Sequence, residues 1–125
     1  MGFAVRSIAR ASPPFLGLGF SEMPGLPDAV EPDLHIRLRF LRSPCSKVVV
    51  ELVEGLDRAS PVERLLQKSG PSPYHLCFRV DDLASAAAHL KTLGYRALTG
   101  PIAASSFRVQ FFHHAETGLI ELAQL

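Results

Sequence analysis

The order of apolar and polar residues predicts an α+β fold made of a βαβββ unit written twice. Two observations carry this. Set under YHLCFRVDDL with a shift of 75, the opening MGFAVRSI matches it, Val5 meeting Val80 and Ile8 meeting Leu83; the same shift pairs Ala11 with Ala86, Phe15 with Leu90, Leu18 with Leu93 and Gly19-Phe20 with Gly94-Tyr95. Further on, RLRFL (37–41) matches RVQFF (108–112) at a shift of 71, and VVELVE (49–54) matches LIELAQ (119–124) at 70. Such self-similarity marks a repeated supersecondary unit, and a slowly shrinking shift marks shorter loops in the second copy.

The second copy parses most simply. Residues 75–80 alternate as a strand, Asp81 or Asp82 is a suitable N-cap, and Leu83, Ala86, Ala87, Leu90 and Leu93 recur at helical spacing up to Gly94. Three shorter strands follow, near 96–98, 107–112 and 118–123. The first copy has the same frame, but Pro13 and Pro14 fall inside its helix and predict a kinked or shortened element. Residues 22–33 hold Pro24, Gly25, Pro27 and Pro32 and read as a loop. Between the copies, SPVERLLQK predicts a linking helix over 60–70, with Ser60 as N-cap, Pro61 at the first helical position and Glu63 completing a capping box. The expected organisation is one domain over 1–125, with module one at 1–55 and module two at 72–125.

Composition narrows the partners. Thirteen basic against twelve acidic residues give a net charge of +1, with no footprint for nucleic acid. At 47% hydrophobic and 20% charged the chain can bury a core. No apolar run is long enough to span a bilayer, the opening is too short in apolar residues for a secretory signal, and Cys45 and Cys77 suit a reducing compartment, so a cytoplasmic protein with no membrane partner is expected.

Strand alternation gathers candidate functional residues. In VVVELVE, Glu51 opposes Val50 and Leu52; in GLIELAQ, Glu121 opposes Ile120 and Leu122; in HLCFRV, His75, Cys77 and Arg79 oppose Leu76, Phe78 and Val80. The same reading buries Leu38, Phe40, Val109 and Phe111 and sends Arg37, Arg39, Arg108 and Gln110 to the side of the two glutamates. A solvated sheet face would explain any one of these residues. Together, two carboxylates at equivalent places and one imidazole suit a borderline divalent ion such as Zn²⁺, Ni²⁺, Co²⁺ or Fe²⁺. Subtracting 75 from His75 points to the position immediately before Met1, so a fourth ligand has no counterpart here, and weak or partial metal occupancy is expected. His113 and His114 read as surface residues in a turn, and Cys77 as a small packing residue.

YHLCFRVDDL, SPVERLLQKSG and GLIELAQ resemble the vicinal oxygen chelate superfamily, which includes glyoxalase I, methylmalonyl-CoA epimerase, extradiol dioxygenases and bleomycin-resistance proteins. The resemblance covers nearly the whole chain and implies paired βαβββ modules whose strands curl around a metal-centred cavity, with Glu51, His75 and Glu121 at ligand positions. SPVERLLQKSG followed by YHLCFRVDDL is most similar to the epimerase branch. Glu51 is more like glyoxalase I, and HIRLRFLR offers His35, Arg37 and Arg39 where the epimerase branch keeps a carboxylate base. The implied chemistry is that of a metal-dependent lyase or isomerase moving a proton next to a carbonyl of a small 2-oxo acid, thioester or similar substrate. Glu121 would be the base, and Arg37, Arg39 and Arg108 would bind the substrate's acidic group. A metal-free ligand-binding or resistance protein of the same fold is the alternative, and glyoxalase-like relatives suggest a homodimer.

Overall fold

The computed structural model describes residues 1–104 and 107–125. The chain divides into two compact units, Met1–Tyr74 and His75–Leu125.

The first unit runs β1 (Gly2–Val5), α1 (Ile8–Gly17), β2 (Ser21–Glu22), β3 (Ala29–Glu31), a short 3-10 turn (Pro32–Leu34), β4 (Ile36–Arg42), β5 (Val49–Gly55) and α2 (Pro61–Ser69), and ends inside β6 (Ser72–Arg79). Strands β2 and β3 both lie antiparallel along one edge of β4; β4 is antiparallel to β5, and β5 is parallel to β1. Each face of this sheet carries a helix. Under α1, Val5, Ile8, Leu41, Val50 and Leu52 form one buried cluster; on the other face Ala4, Ile36, Leu38 and Val53 pack with Val62 and Leu66 of α2.

The second unit repeats the plan. Beyond β6 come α3 (Leu83–Thr92), β7 (Arg96–Ala97), β8 (Ile102–Ala103), β9 (Arg108–His114) and β10 (Gly118–Gln124). Here β7 and β8 share an edge of β9, β9 is antiparallel to β10, and β10 is parallel to β6. Leu83 and Ala87 of α3 cover Phe112, Ile120 and Leu122.

Three local expectations are corrected. The edge strand of each copy is two short strands, so residues 22–33 are not all loop. Pro24, Gly25 and Pro27 interrupt the first edge and Gly100-Pro101 the second, since proline cannot donate to a ladder. Such breaks also blunt an exposed edge. Pro13 and Pro14 do not shorten α1, which at ten residues equals α3. The carbonyls that lose their partners belong to Ala9 and Arg10, both exposed, where water can satisfy them. Ser60 begins α2, but its side chain makes no capping bond. Its hydroxyl is buried, with no hydrogen-bond partner among the described residues, and Gly55 lies so close that an added Cβ would stand 2.9 Å from both Ser60 Cβ and Glu63 Oε1.

The repeat extends to how each helix is tied to its sheet. The Ile8 amide donates to Glu54 Oε2 at 2.7 Å; at the equivalent place the Leu83 amide donates to Gln124 Oε1 at 3.2 Å, while Gln124 Nε2 donates to the Asp81 carbonyl. In each copy a polar residue of the last strand therefore satisfies an amide that the first helical turn leaves open. Ser7 and Asp82 cap α1 and α3, as the pattern around Asp82 predicts.

Candidate functional site

Cross-strand register decides which side chains share a face, because directly opposed residues project to the same side. In the second unit Glu121 is paired with Phe111 on β9 and Cys77 on β6, while Ile120, Leu122 and Phe112 face α3. His75, two residues before Cys77, projects with Glu121. Its Nε2 stands 2.9 Å from Glu121 Oε2, and both side chains are at least nine-tenths buried. The Phe111 ring stands perpendicular to the imidazole, centroids 6.0 Å apart. Burying a carboxylate and an imidazole on one apolar sheet face is costly unless opposite charge compensates.

In the first unit Glu51 is paired with Phe40 and Gly2. Phe40 and Phe111 are thus equivalent partners of Glu51 and Glu121, as Gly2 and Cys77 are on the other side. Neither phenylalanine is assigned to this face by alternation alone. The signal was present in the RLRFL and RVQFF match, which sets Phe40 and Phe111 at the same repeat position.

The arginines lie elsewhere. Arg37 is paired with Glu54 and Arg39 with Leu52, so both are on the α1 side of the sheet, opposite Glu51; Leu38 and Phe40 are on the Glu51 side. Likewise Arg108 and Gln110 are paired with Gln124 and Leu122, away from Glu121. The alternation expected within each of these two strands holds, but the face is the opposite one: one residue of register flips a whole strand, and only the pairing fixes it. Gln110 is buried and donates to the Thr99 carbonyl at 2.8 Å. Arg37 lies 3.7 Å from Glu54. His35 sits at the end of the 3-10 turn with a positive φ of 54°, its exposed Nδ1 3.0 Å from Asp57 Oδ2. His113 and His114 belong to β9 rather than a turn; His114 Nδ1 accepts the Glu116 amide at 3.1 Å.

Arg39 holds a loop. Its guanidinium donates twice to Asp28, at 2.8 and 2.6 Å, and once to the buried Ser12 hydroxyl at 3.1 Å, and it lies 3.7 Å from Glu22. Hydrogen bonding from Arg39 holds the Asp28 carboxyl below its ordinary pKa. The stabilisation is therefore full above the ordinary carboxylate value and is lost as pH falls through the lowered one. In urea unfolding of wild type and Asp28→Asn, the stability gap should be widest at neutral pH and close below about pH 4. A gap that does not change with pH would assign the effect to packing.

A family model described as "Glyoxalase/Bleomycin resistance protein/Dioxygenase superfamily" matches residues 1–111. The chain belongs to this superfamily. Within the superfamily it is similar to the ethylmalonyl-CoA/methylmalonyl-CoA epimerase of Cereibacter sphaeroides, 32% identical over 101 residues, 76% of this chain and 74% of that protein. Among solved structures it is similar to the methylmalonyl-CoA epimerase of Mycobacterium tuberculosis, with a TM-score of 0.85 and 28% identity over 98% of this chain and 83% of that one. A variant of the Streptomyces coelicolor methylmalonyl-CoA epimerase, solved in complex with 2-nitronate-propionyl-CoA, gives a TM-score of 0.82 and 25% identity over 98% of this chain and 90% of that one. The α+β class expected from the repeat, and the glyoxalase-like fold that the family resemblance implies, are thus the ones found. No helix among the described residues is long and apolar enough to cross a membrane.

Proposed function

We propose that this chain is a metal-dependent isomerase of the epimerase kind, exchanging the proton next to the carbonyl of a short acyl-CoA thioester such as methylmalonyl-CoA or ethylmalonyl-CoA. The observation that carries the reading is the buried His75–Glu121 pair, in a chain 32% identical to an ethylmalonyl-CoA/methylmalonyl-CoA epimerase.

The donor set fits a divalent ion. A buried imidazole nitrogen next to a buried carboxylate oxygen is the N/O combination that borderline metals favour, and a cation would offset the cost of burying the carboxylate. Glu51, His75 and Glu121 would hold the ion. The repeat supports including Glu51, since it occupies the register position of Glu121, with Phe40 in the place of Phe111. When bound, the ion supplies positive charge where the substrate oxygens become negative.

The remaining work belongs to the chain. Glu121 turns Oε2 toward His75, which leaves Oε1 to take the proton from the carbon beside the thioester carbonyl. His75 positions that carboxylate, and the Phe111 ring packed beside it limits water around the imidazole.

The test is proton exchange. Methylmalonyl-CoA in D₂O is incubated with the chain after EDTA treatment and after resupply of Zn²⁺, Co²⁺ or Ni²⁺, and loss of the α-proton is followed by NMR. Metal-dependent exchange is expected, with His75→Ala lowering both metal retention and rate. Binding of the thioester without exchange under any metal would replace this reading with that of a metal-free ligand-binding protein.

A further inference from the structure

Beside α1 the first unit has a groove of about 420 Å³. Phe3 and Phe15, whose rings meet edge to face at 5.4 Å, line it together with Pro14, Pro71 and the exposed Arg6 and Arg10. Phe3 is paired with Leu52, whereas its neighbour Gly2 is paired with Glu51, so the groove opens on the side of the sheet opposite Glu51.

The two arginines have no evident task in the fold. Both are exposed, and neither makes an ion pair among the described residues. The duplicate acts as an internal control: the shift of 75 that aligns the helices sets Asp81 and Ser85 at the places of Arg6 and Arg10. The second copy forms its helix with an acidic residue before the N-cap and a hydroxyl in the first turn where the first copy has two guanidiniums, so the βαβββ frame does not need positive charge there. The amides of the first turn are partly committed as well, Ile8 to Glu54 and Arg10 to Ser7 Oγ. Positive charge at the groove is therefore the arginines' own, and Arg6, just before the N-cap Ser7, and Arg10, in the first turn of α1, line the same groove, where two guanidiniums can grip one acidic group.

We propose that this groove binds a small aromatic carboxylate or sulfonate, its ring on Phe3, Phe15 and Pro14 and its acidic group between Arg6 and Arg10. The volume is in the range of small-molecule sites, and a largely apolar lining with a few charged groups is their usual composition. This site is separate from the proposed thioester chemistry and stands or falls without it.

The probe is 8-anilinonaphthalene-1-sulfonate, titrated into the full chain by fluorescence, with uncharged N-phenyl-1-naphthylamine as the control. One saturable site is expected, weakened at least about tenfold in the double variant Arg6→Ala/Arg10→Ala, partly restored in Arg6→Lys/Arg10→Lys, and unchanged in His75→Ala. Circular dichroism melts check that the variants are folded, as exposed positions should be. Equal affinity for the charged and uncharged probes, or retention of the sulfonate by the double alanine variant, would overturn the proposal. So would a wild-type dimer that Arg6→Glu/Arg10→Glu turns into a monomer in sedimentation, because the groove would then be an interface between copies.

Discussion

Glu121→Gln is expected to slow α-proton exchange of methylmalonyl-CoA at least about a hundredfold while leaving the fold intact. The substitution keeps the volume and the hydrogen-bonding reach of the side chain but removes its capacity to take a proton, and general base catalysis typically contributes 10² to 10⁴ in rate. Glu121 is buried beside His75 and between Phe111 and Cys77, so water is poorly placed to substitute as a base. The loss should fall on kcat more than on KM, since the carboxylate acts on the reacting proton. Chiral analysis of the product and deuterium uptake measure the effect. A variant with wild-type exchange would remove Glu121 from the role of base.

The largest expected loss of stability is at Phe112. Its side chain is fully buried, packed with Leu83 and Ala87 of α3 and with Ile120 and Leu122 of β10. Phe112→Ala removes most of a ring from a site closed on all sides, which costs about 3–5 kcal/mol from lost transfer energy and the cavity left behind. That is a large part of the 5–15 kcal/mol that stabilises an ordinary domain. Leu18→Ala, at a residue 71% exposed, should change stability by less than about 0.5 kcal/mol. Urea unfolding of both variants checks the contrast. Near-equal midpoints would mean that the second unit repacks around the void.

Much of the site was legible because the duplication doubles each signal. Glu51 and Glu121 could be matched from VVELVE and LIELAQ, and alternation put His75 with Cys77, the residue that β6 sets opposite Glu121. A cap at Asp81 or Asp82 could be recognised because capping depends on the few residues that follow it, and the structure assigns it to Asp82. The edge strands were less legible: β2, β3, β7 and β8 are two or three residues long, too short for a period of two to be read. Ser60 and Glu63 spell a capping box, yet the Ser60 hydroxyl faces the crowded approach of Gly55, a neighbour that no local pattern reveals.

The sequence by itself determined the repeated unit, the order of its main strands and helices, and the pairing of Glu51 with Glu121 as equivalent positions. These follow from periodicity and from self-comparison, which are properties of a chain in one dimension. Only the tertiary structure decided that Phe40 and Phe111 accompany the glutamates, and that Arg37, Arg39, Arg108 and Gln110 lie on the opposite side. It also decided that α1 keeps its length through Pro13 and Pro14. The physical reason is the same in each case. Alternation states which residues of a strand share a side but not which side, and a helix tolerates lost hydrogen bonds according to whether water or protein covers the orphaned carbonyls. Both questions are answered by what packs against the element.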